Sequence, residues 1–501
     1  MRKSDIIYYA AASVIIILGL FLRIRLYLHG YPFWWDETAL ADSILNRSLF
    51  QMFSPLNNMQ TAPPLYLVLA KSAAEIFGAD VFPLRAVSCL SGCCSLIFFY
   101  LLIIKVFKSR AAVLAALILF SFSAQLIYYS AEFKPYCTDV LLCVILLYFF
   151  SKFKINSRRD ALCCSAAAFL APFFSFPSAV VIFSMIALKL FEPELKNKSM
   201  YFMLFFPVLI SLFIIWQIEK VHYTGMADSA EWKDCFFSLS LKSNINLICR
   251  YISCIHPFYD ISVFWLYALG FLKALFSKNK YIHLSLLCIF FTAAASFLHL
   301  YPFSGRVILF LMPLFIIIGA GILDFNSCKN VYLKSAAPIF KLLVIAAAVL
   351  SFNLVPNIKA VSSRNFLLNE PASLRFDRQK AVLKFFKHYK RGDLLITTNK
   401  VSAFLKLYGK MKYDFQTDKI ICRWDISSEK EIEKIKNEII KIKNNDIIVL
   451  YFNPWYFDEE NRKQDIFLTE QMIKSLNLKY EKYPNEYADL YKIYKSDEIN
   501  N

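Results

Sequence analysis

Apolar residues in this chain fall in blocks of about twenty, the length needed to cross a hydrocarbon core of roughly 30 Å at about 1.5 Å per residue. Lipid offers no hydrogen-bond partners to a backbone, so each block must satisfy its own amides and carbonyls as a helix. About eleven spans are expected, near 5–28, 82–104, 111–129, 134–151, 160–172, 176–191, 200–218, 258–275, 281–299, 304–323 and 335–355. The fifth and sixth are short, with Pro172 and Pro177 between them, and can equally be read as one bent hairpin. The first block is too long for a signal peptide, and Arg23 and Arg25 at its end do not make a cleavage site, so it is expected to remain as a span. A content of 58% apolar and 17% aromatic residues fits the same class, an all-α polytopic membrane protein.

Lys and Arg in short loops mark the cytoplasmic side. Arg2 and Lys3, then Lys105, Lys108 and Arg110, then Lys152, Lys154, Arg158 and Arg159 occur in alternate loops. Lys189, Lys196 and Lys198, then Lys273, Lys278 and Lys280, then Lys329 and Lys334 continue the alternation. The segment 29–81, the loop 219–257 and everything after about 356 are therefore expected outside. The net charge of +18 is accounted for largely by these topology-setting loops, so no nucleic-acid partner is implied. The 13 cysteines show no ligand spacing, and most sit inside spans; Cys235, Cys249 and Cys254 share one outer loop, where a single disulfide could form.

Two domains follow: a membrane domain over 1–356, whose first outer loop is 29–81, and an extracytoplasmic domain over 357–501. In the outer loop, Leu40, Ile44, Leu45 and Leu49 recur at helical spacing from Glu37 to Phe50, opposed by Asp42, Asn46 and Arg47, which predicts a helix lying flat at the interface below Trp34 and Trp35. A second helix is expected after Pro63–Pro64, over 63–77. The tail alternates helical stretches (376–390 and 428–443) with strand-like runs, Leu394–Thr398, Ile420–Arg423, Ile447–Phe452 and Leu490–Tyr494, and reads as a small α/β domain. It has no Gly-rich phosphate loop.

Ionisable groups in or near lipid are costly, and they gather on the expected outer face: Asp36, Glu37, Arg85, Glu132, Lys134, Asp139 and Arg306. Asp36 and Glu37 open a helix, which suits either a charge on the helix dipole or a general base. Glu132-Phe133-Lys134-Pro135-Tyr136 heads a span, where Lys134 could snorkel to the interface. Glu132 and Asp139, seven residues apart, are expected on one helical face. Arg306 opens the next-to-last span and needs an anionic partner.

The runs Trp35-Asp36-Glu37, Gln60-Thr61-Ala62-Pro63-Pro64-Leu65-Tyr66 and Phe82-Pro83-Leu84-Arg85 resemble the first outer loop of C-type glycosyltransferases. The likeness is to protein-mannosyltransferase-like and aminoarabinose-transferase-like enzymes. Glu132 to Asp139 resembles their second outer motif, and Tyr301 to Pro313 their late span with an arginine. The resemblance, over roughly 30–325, implies a sugar on a polyprenyl-phosphate donor and an inverting transfer at the outer leaflet. It makes Asp36 the general base, with Glu37 assisting, and Arg85, Lys134 and Arg306 the contacts to the donor phosphate. Glu132, Tyr136 and Asp139 become donor-binding candidates; Asp139 would orient the sugar or, with Glu132, help hold a divalent ion. Two departures stand out: family members often carry His or Lys just before the Pro-Pro pair, where this chain has Gln60-Thr61-Ala62, and often Arg where it has Lys134.

The implied partners are a lipid-linked sugar, a lipid, glycan or protein acceptor (lipopolysaccharide among them), and the bilayer, with the protein in the plasma (inner) membrane. A lipid or sugar transporter and a non-catalytic envelope-assembly protein are the alternatives. A transporter would place charges near the midplane between repeats, and this chain has no internal repeat. The topology has a direct check: a reporter enzyme fused after residue 356 should be active only if it folds outside the cytoplasm, and cytoplasmic activity would overturn the assignment of faces.

Overall fold

A computed structural model describes residues 3–324, apart from 31–32, 58–59, 154, 156, 193–197, 228–231, 256–260 and 304, and beyond them five strands and a few helical residues near 470. The chain divides into two compact units, one of residues 1–30, 47–78 and 82–369, the other of 31–46, 79–81 and 370–501.

The second unit holds helix α2 (Trp35–Leu45) and a five-stranded sheet. Its strands are β1 (Leu394–Thr397), β2 (Ile420–Cys422), β3 (Ile447–Tyr451), β4 (Lys479–Pro484) and β5 (Asp489–Tyr494), in the order β2-β1-β3-β5-β4. β1 pairs in parallel with β2 (Leu395 opposite Ile420) and β3 (Leu395 opposite Ile448), and the connections 398–419 and 423–446 are long enough for the crossovers that parallel pairing needs. β5 runs antiparallel to β3 (Val449 opposite Tyr491) and to β4 (Tyr483 opposite Leu490). β4 was not expected. As an edge strand of sequence Lys-Tyr-Glu-Lys-Tyr-Pro it carries the charges and terminal proline that protect an edge, and these hide its pattern. The helices expected at 376–390 and 428–443 lie outside the described residues.

The first unit has only helices as elements among its described residues. It contains α1 (Lys3–Leu28), α3 (Pro64–Phe77), α4 (Val81–Val106, whose first residue falls in the other unit), α5 (Arg110–Ser121), α6 (Ala124–Tyr129), α7 (Tyr136–Phe150), α8 (Arg158–Phe174), α9 (Ser178–Leu190), α10 (Lys198–Met203), α11 (Phe205–Ala227), α12 (Leu241–Ile255), α13 (Ile261–Leu275), α14 (Lys280–Phe297) and α15 (Met312–Ala320). Every expected block up to 323 is helical over most of its length; the block at 335–355 lies outside the described residues. Segments 5–28, 81–106, 199–220 and 280–297 are long and apolar enough to cross a membrane, and 110–121, 136–150, 178–190 and 309–323 are shorter apolar helices. α1 and α11 leave large apolar side chains uncovered, among them Ile17, Phe21, Phe206 and Phe213, a surface suited to lipid rather than water. The short fifth and sixth blocks are two helices, α8 and α9, packed on each other.

The third expected span departs from the prediction by breaking between Ser121 and Ala124 into α5 and α6. The break leaves the carbonyls at the end of α5 without helical partners. Arg23, fully buried on α1, supplies them: Nη1 donates to Ser121 O at 2.9 Å and to Gly19 O at 2.9 Å, and Nη2 to Phe120 O at 3.2 Å. Ser123 then caps α6 by accepting from the Leu126 N–H at 3.4 Å. The seventh block also runs on, as α11, to Ala227, shortening the expected outer loop. Of the three cysteines considered for a disulfide, Cys235 is partly buried, and the side chains of Cys249 and Cys254 lie outside the described residues.

At the middle of this unit, α15 is buried on every side, as its uninterrupted apolar sequence requires, and packs on α13, α14, α5 and α7. The crossing with α13 depends on glycine. A Cβ at Gly270 would stand 2.6 Å from Ile318 O and 2.8 Å from Gly319 Cα, both backbone atoms that cannot turn aside. Small residues of this kind let helix backbones approach in membranes. Gly270→Ala is expected to cost about 1–3 kcal/mol through overpacking, read as a lower melting temperature in detergent. Gly321→Ala, whose new methyl would meet Ile282 Cδ1 at 3.4 Å, is expected to stay within roughly 0.5 kcal/mol.

Candidate active site

Asp36 and Glu37 lie in the first turn of α2. The helix ends at Leu45, five positions short of the expected Phe50, and a separate 3-10 turn follows at Phe50–Phe53, because Asn46 closes it locally: its N–H donates to Asp42 O at 3.3 Å and its Nδ2 to Asp42 Oδ1 at 2.8 Å. Leu40 and Ile44 are fully buried while Asp36 and Asp42 are partly exposed and Asn46 exposed, as expected, but Glu37, Thr38 and Ser43 are fully buried as well, so the polar face is narrow. The two carboxylates differ. Glu37 Oε2 accepts from the Trp34 N–H at 3.2 Å, satisfying one of the orphan amides at the helix start, whereas Asp36 is only partly buried.

In the first unit, α4 presents Arg85, Ser88, Gly92 and Ser95 on one face, and this face meets the turn between α6 and α7. Gly92 makes the approach close: a Cβ there would lie 2.6 Å from Ser130 Cβ. The turn is tightened by the Lys134 N–H donating to Glu132 O at 2.9 Å, and Pro135 follows. Ser88 Oγ donates to Lys134 O at 2.9 Å and lies 3.0 Å from Tyr66 Oη, while the Tyr66 ring stacks on Phe133 at 6.2 Å between centroids. α3, as expected over 63–77, thus fixes the turn through Tyr66. Its own start follows from Pro64 in its first turn, where a missing N–H costs nothing. Lys134 does not snorkel: it is buried, and Nζ donates to Gln60 Oε1 at 2.7 Å. Arg85, one turn before Ser88, is buried as well.

Glu132 and Asp139 do not share a helical face. Glu132 is fully buried in the turn, and α7 begins only at Tyr136, because Pro135 sets the helix start. Asp139 sits in the first turn of α7, its N–H donating to Pro135 O at 2.9 Å. Its Oδ1 is buried without a hydrogen-bond partner among the described residues, and the Ser175 hydroxyl, at the end of α8, stands beside the carboxyl. Next to it, Thr138 Oγ1 and Ser91 Oγ are 3.1 Å apart, tying α7 to α4. Tyr136 turns its ring edge to Tyr129 at 5.2 Å. Among the described residues no three His, Cys, Asp or Glu side chains are grouped as metal ligands.

Arg306 does not open a helix either. It lies in the turn Gly305–Ile308 ahead of α15, where the Tyr301 hydroxyl donates to Val307 O at 2.9 Å. The approach to this turn is braced by the segment 232–237: Phe303 N–H donates to Cys235 O at 2.7 Å, Phe237 N–H to Ser296 Oγ at 3.2 Å, and Phe236 stacks on His299 at 4.8 Å. His299 takes a left-handed φ of 56° and ends α14, with the Leu300 N–H reaching back to Ala295 O at 2.8 Å.

Residues 61–216 match the family of dolichyl-phosphate-mannose-protein mannosyltransferases. The fold is similar to that of ArnT from Cupriavidus metallidurans bound to undecaprenyl phosphate, with a TM-score of 0.54 over 98% of each chain at 10% identity. The apo form of that protein gives 0.52 over 97% of each chain at 11% identity. The oligosaccharyltransferase of Archaeoglobus fulgidus gives 0.50, covering 88% of this chain and 69% of the other, at 10% identity. The family match is confined to residues 61–216 of 501, and the similarity to the solved structures, near 10% identity, is one of fold. Among curated proteins none matches by sequence, so the likeness of this chain to known proteins rests on that segment and on the fold.

The family segment takes in Arg85, Glu132, Lys134, Tyr136 and Asp139, and leaves Asp36, Glu37, Gln60 and Arg306 outside it. Within it, the residues that hold the Lys134 turn, Ser88 and Tyr66, were not singled out from sequence. The spacing of Ser88, Ser91 and Ser95 in an apolar span was the available signal, since hydroxyls in such a span mark a helix contact. Ser88→Ala would leave the Lys134 carbonyl and Tyr66 hydroxyl short of a buried partner, so it is expected to cost about 1–3 kcal/mol, and Tyr66→Phe about 0.5–1.5 kcal/mol. The double variant should fall short of the sum because the bonds form one network; thermal melts of the detergent-solubilised protein measure all three.

Proposed function

We propose that this protein transfers a sugar from a polyprenyl-phosphate donor to an extracytoplasmic acceptor, a lipopolysaccharide, another envelope glycan or a protein, in the plasma (inner) membrane. The observation that carries the reading is the buried Lys134 ammonium, held on a turn that α3 and α4 fix, with Arg85 one helical turn from the serine that holds it. Buried cations on a rigid frame suit a phosphate whose negative charge grows as it leaves. The similarly folded ArnT is known with undecaprenyl phosphate bound, which supports the same class of donor here.

In this reading Asp36 accepts the proton of the acceptor hydroxyl as its oxygen attacks the anomeric carbon. The bond from that carbon to the phosphate oxygen breaks, and polyprenyl phosphate leaves with the bonding electron pair. A single displacement inverts the anomeric centre. Arg85, Lys134 and Arg306 stabilise the departing phosphate. Glu37, occupied at the start of α2, orients Asp36 rather than taking a proton itself. Asp139 and Tyr136 position the donor sugar, and Glu132 supports the turn; no step is assigned to a metal. The frame is a bundle of about eleven spans, including 335–355, followed by an extracytoplasmic α/β domain over 357–501.

Purified protein supplied with candidate lipid-linked sugars provides the test. Asp36→Asn should lower transfer roughly 10²–10⁴-fold while leaving polyprenyl-phosphate binding in place. Transfer at the wild-type rate by Asp36→Asn would remove the general-base assignment, and failure of the wild type to bind any lipid-linked sugar would remove the donor class.

A further inference from the structure

Gln60 is a polar residue for which the transfer reaction has so far given no role. It lies just before the family segment, yet it reaches the cation at the centre of that segment, with Oε1 2.7 Å from Lys134 Nζ. Gln60 is itself held. Its N–H donates to Asn57 O at 3.3 Å, and Asn57 Oδ1 accepts from Arg47 Nη2 at 2.8 Å. Arg47 Nη1 also reaches the Ser54 hydroxyl at 3.3 Å. On the other side, buried Ala62 and the Pro63–Pro64 pair lead directly into α3, whose Tyr66 joins Ser88 in fixing the Lys134 backbone. Residues 60–66 therefore bear on Lys134 twice, at the side chain through Gln60 and at the carbonyl through Tyr66, by way of Ser88 of α4.

Resting on the donor class proposed above, we infer that Gln60 is a positioning residue that presents the Lys134 ammonium to the donor phosphate. A lysine stem has four rotatable carbons, and an ammonium placed before the phosphate arrives loses less freedom when it does. The choice of amide is specific. An amide oxygen holds an N–H of the ammonium without cancelling its charge, so a phosphate oxygen can still gain from it. A carboxylate in the same place would hold the ammonium more tightly and compete with the phosphate for it.

Substitution separates this role from simple packing, because Gln60→Glu keeps the shape and strengthens the local contact, whereas Gln60→Ala removes it. Full-length protein is titrated with undecaprenyl phosphate, and its melting temperature is measured alongside, for the wild type, Gln60→Glu, Gln60→Ala and Lys134→Ala. Gln60→Glu is expected to melt at or above the wild-type temperature yet to bind the lipid phosphate roughly tenfold more weakly, and more weakly than Gln60→Ala. If Gln60→Glu binds as the wild type does while Lys134→Ala loses affinity, the phosphate contact stands and the role of Gln60 is overturned. If Gln60→Ala alone is impaired, in step with a lower melting temperature, the contact is structural and the inference also falls. If the wild type does not bind the lipid phosphate, the donor class fails first and takes this inference with it.

Discussion

Every backbone polar group inside the membrane domain must find its partner in the protein, because lipid supplies none. An unbroken helix meets that demand by itself, so the informative places are those where the helices break. The gap between α5 and α6 is closed by Arg23 from α1 and by Ser123. The turn between α6 and α7 is closed by Ser88 from α4. The end of α14 is closed by a left-handed His299, and the chain beyond it by Cys235 and Tyr301 from neighbouring strands of loop. Each break combines a local contact with at least one from a distant part of the first unit, Arg23 at the first, Ser88 at the second and Cys235 beyond the third.

Two of these three breaks lead into segments that carry candidate residues. The α6–α7 turn carries Glu132 and Lys134 and delivers Asp139 to the first turn of α7, and the chain past His299 carries Arg306. A straight helix would have presented these side chains at fixed angular steps; a turn frees the chain to point a buried lysine at one partner and its carbonyl at another. Gly92 permits this by letting the turn lie against α4, just as Gly270 lets α13 lie against the backbone of α15. The same small-residue rule thus serves the packing of the domain in one place and the shape of the candidate site in the other.

The helical blocks were legible because their apolar content is imposed by lipid residue by residue. The strands β1, β2, β3 and β5 were legible for the parallel reason that short apolar runs stand out in a polar tail. What failed to show was anything decided by a contact between distant segments. The third block reads as one span, and only the Arg23 guanidinium reveals why it can break. Glu132 and Asp139 read as helical neighbours because spacing carries no mark of where a helix starts, although Pro135 was a usable sign. In α2 the buried and exposed sides follow the pattern of Leu40 and Ile44 against Asp42 and Asn46, but Ser43 and Thr38 are buried too, their hydroxyls turned to their own helix carbonyls, Ala39 O at 3.0 Å and Trp34 O at 3.0 Å. The two departures from the family pattern, at Gln60 and Lys134, looked independent in the sequence and turn out to touch.

The hydroxyl chain that fixes the Lys134 turn also has a direction. A serine hydroxyl has one proton, and that of Ser88 is committed to the Lys134 carbonyl, so the 3.0 Å contact with Tyr66 must be made by the tyrosine proton. The order runs from Tyr66 to Ser88 to the carbonyl, and the carbonyl can neither release a proton nor pass one on. The chain is a strut and not a wire. It holds the backbone of a buried lysine in place and passes no proton beyond that carbonyl.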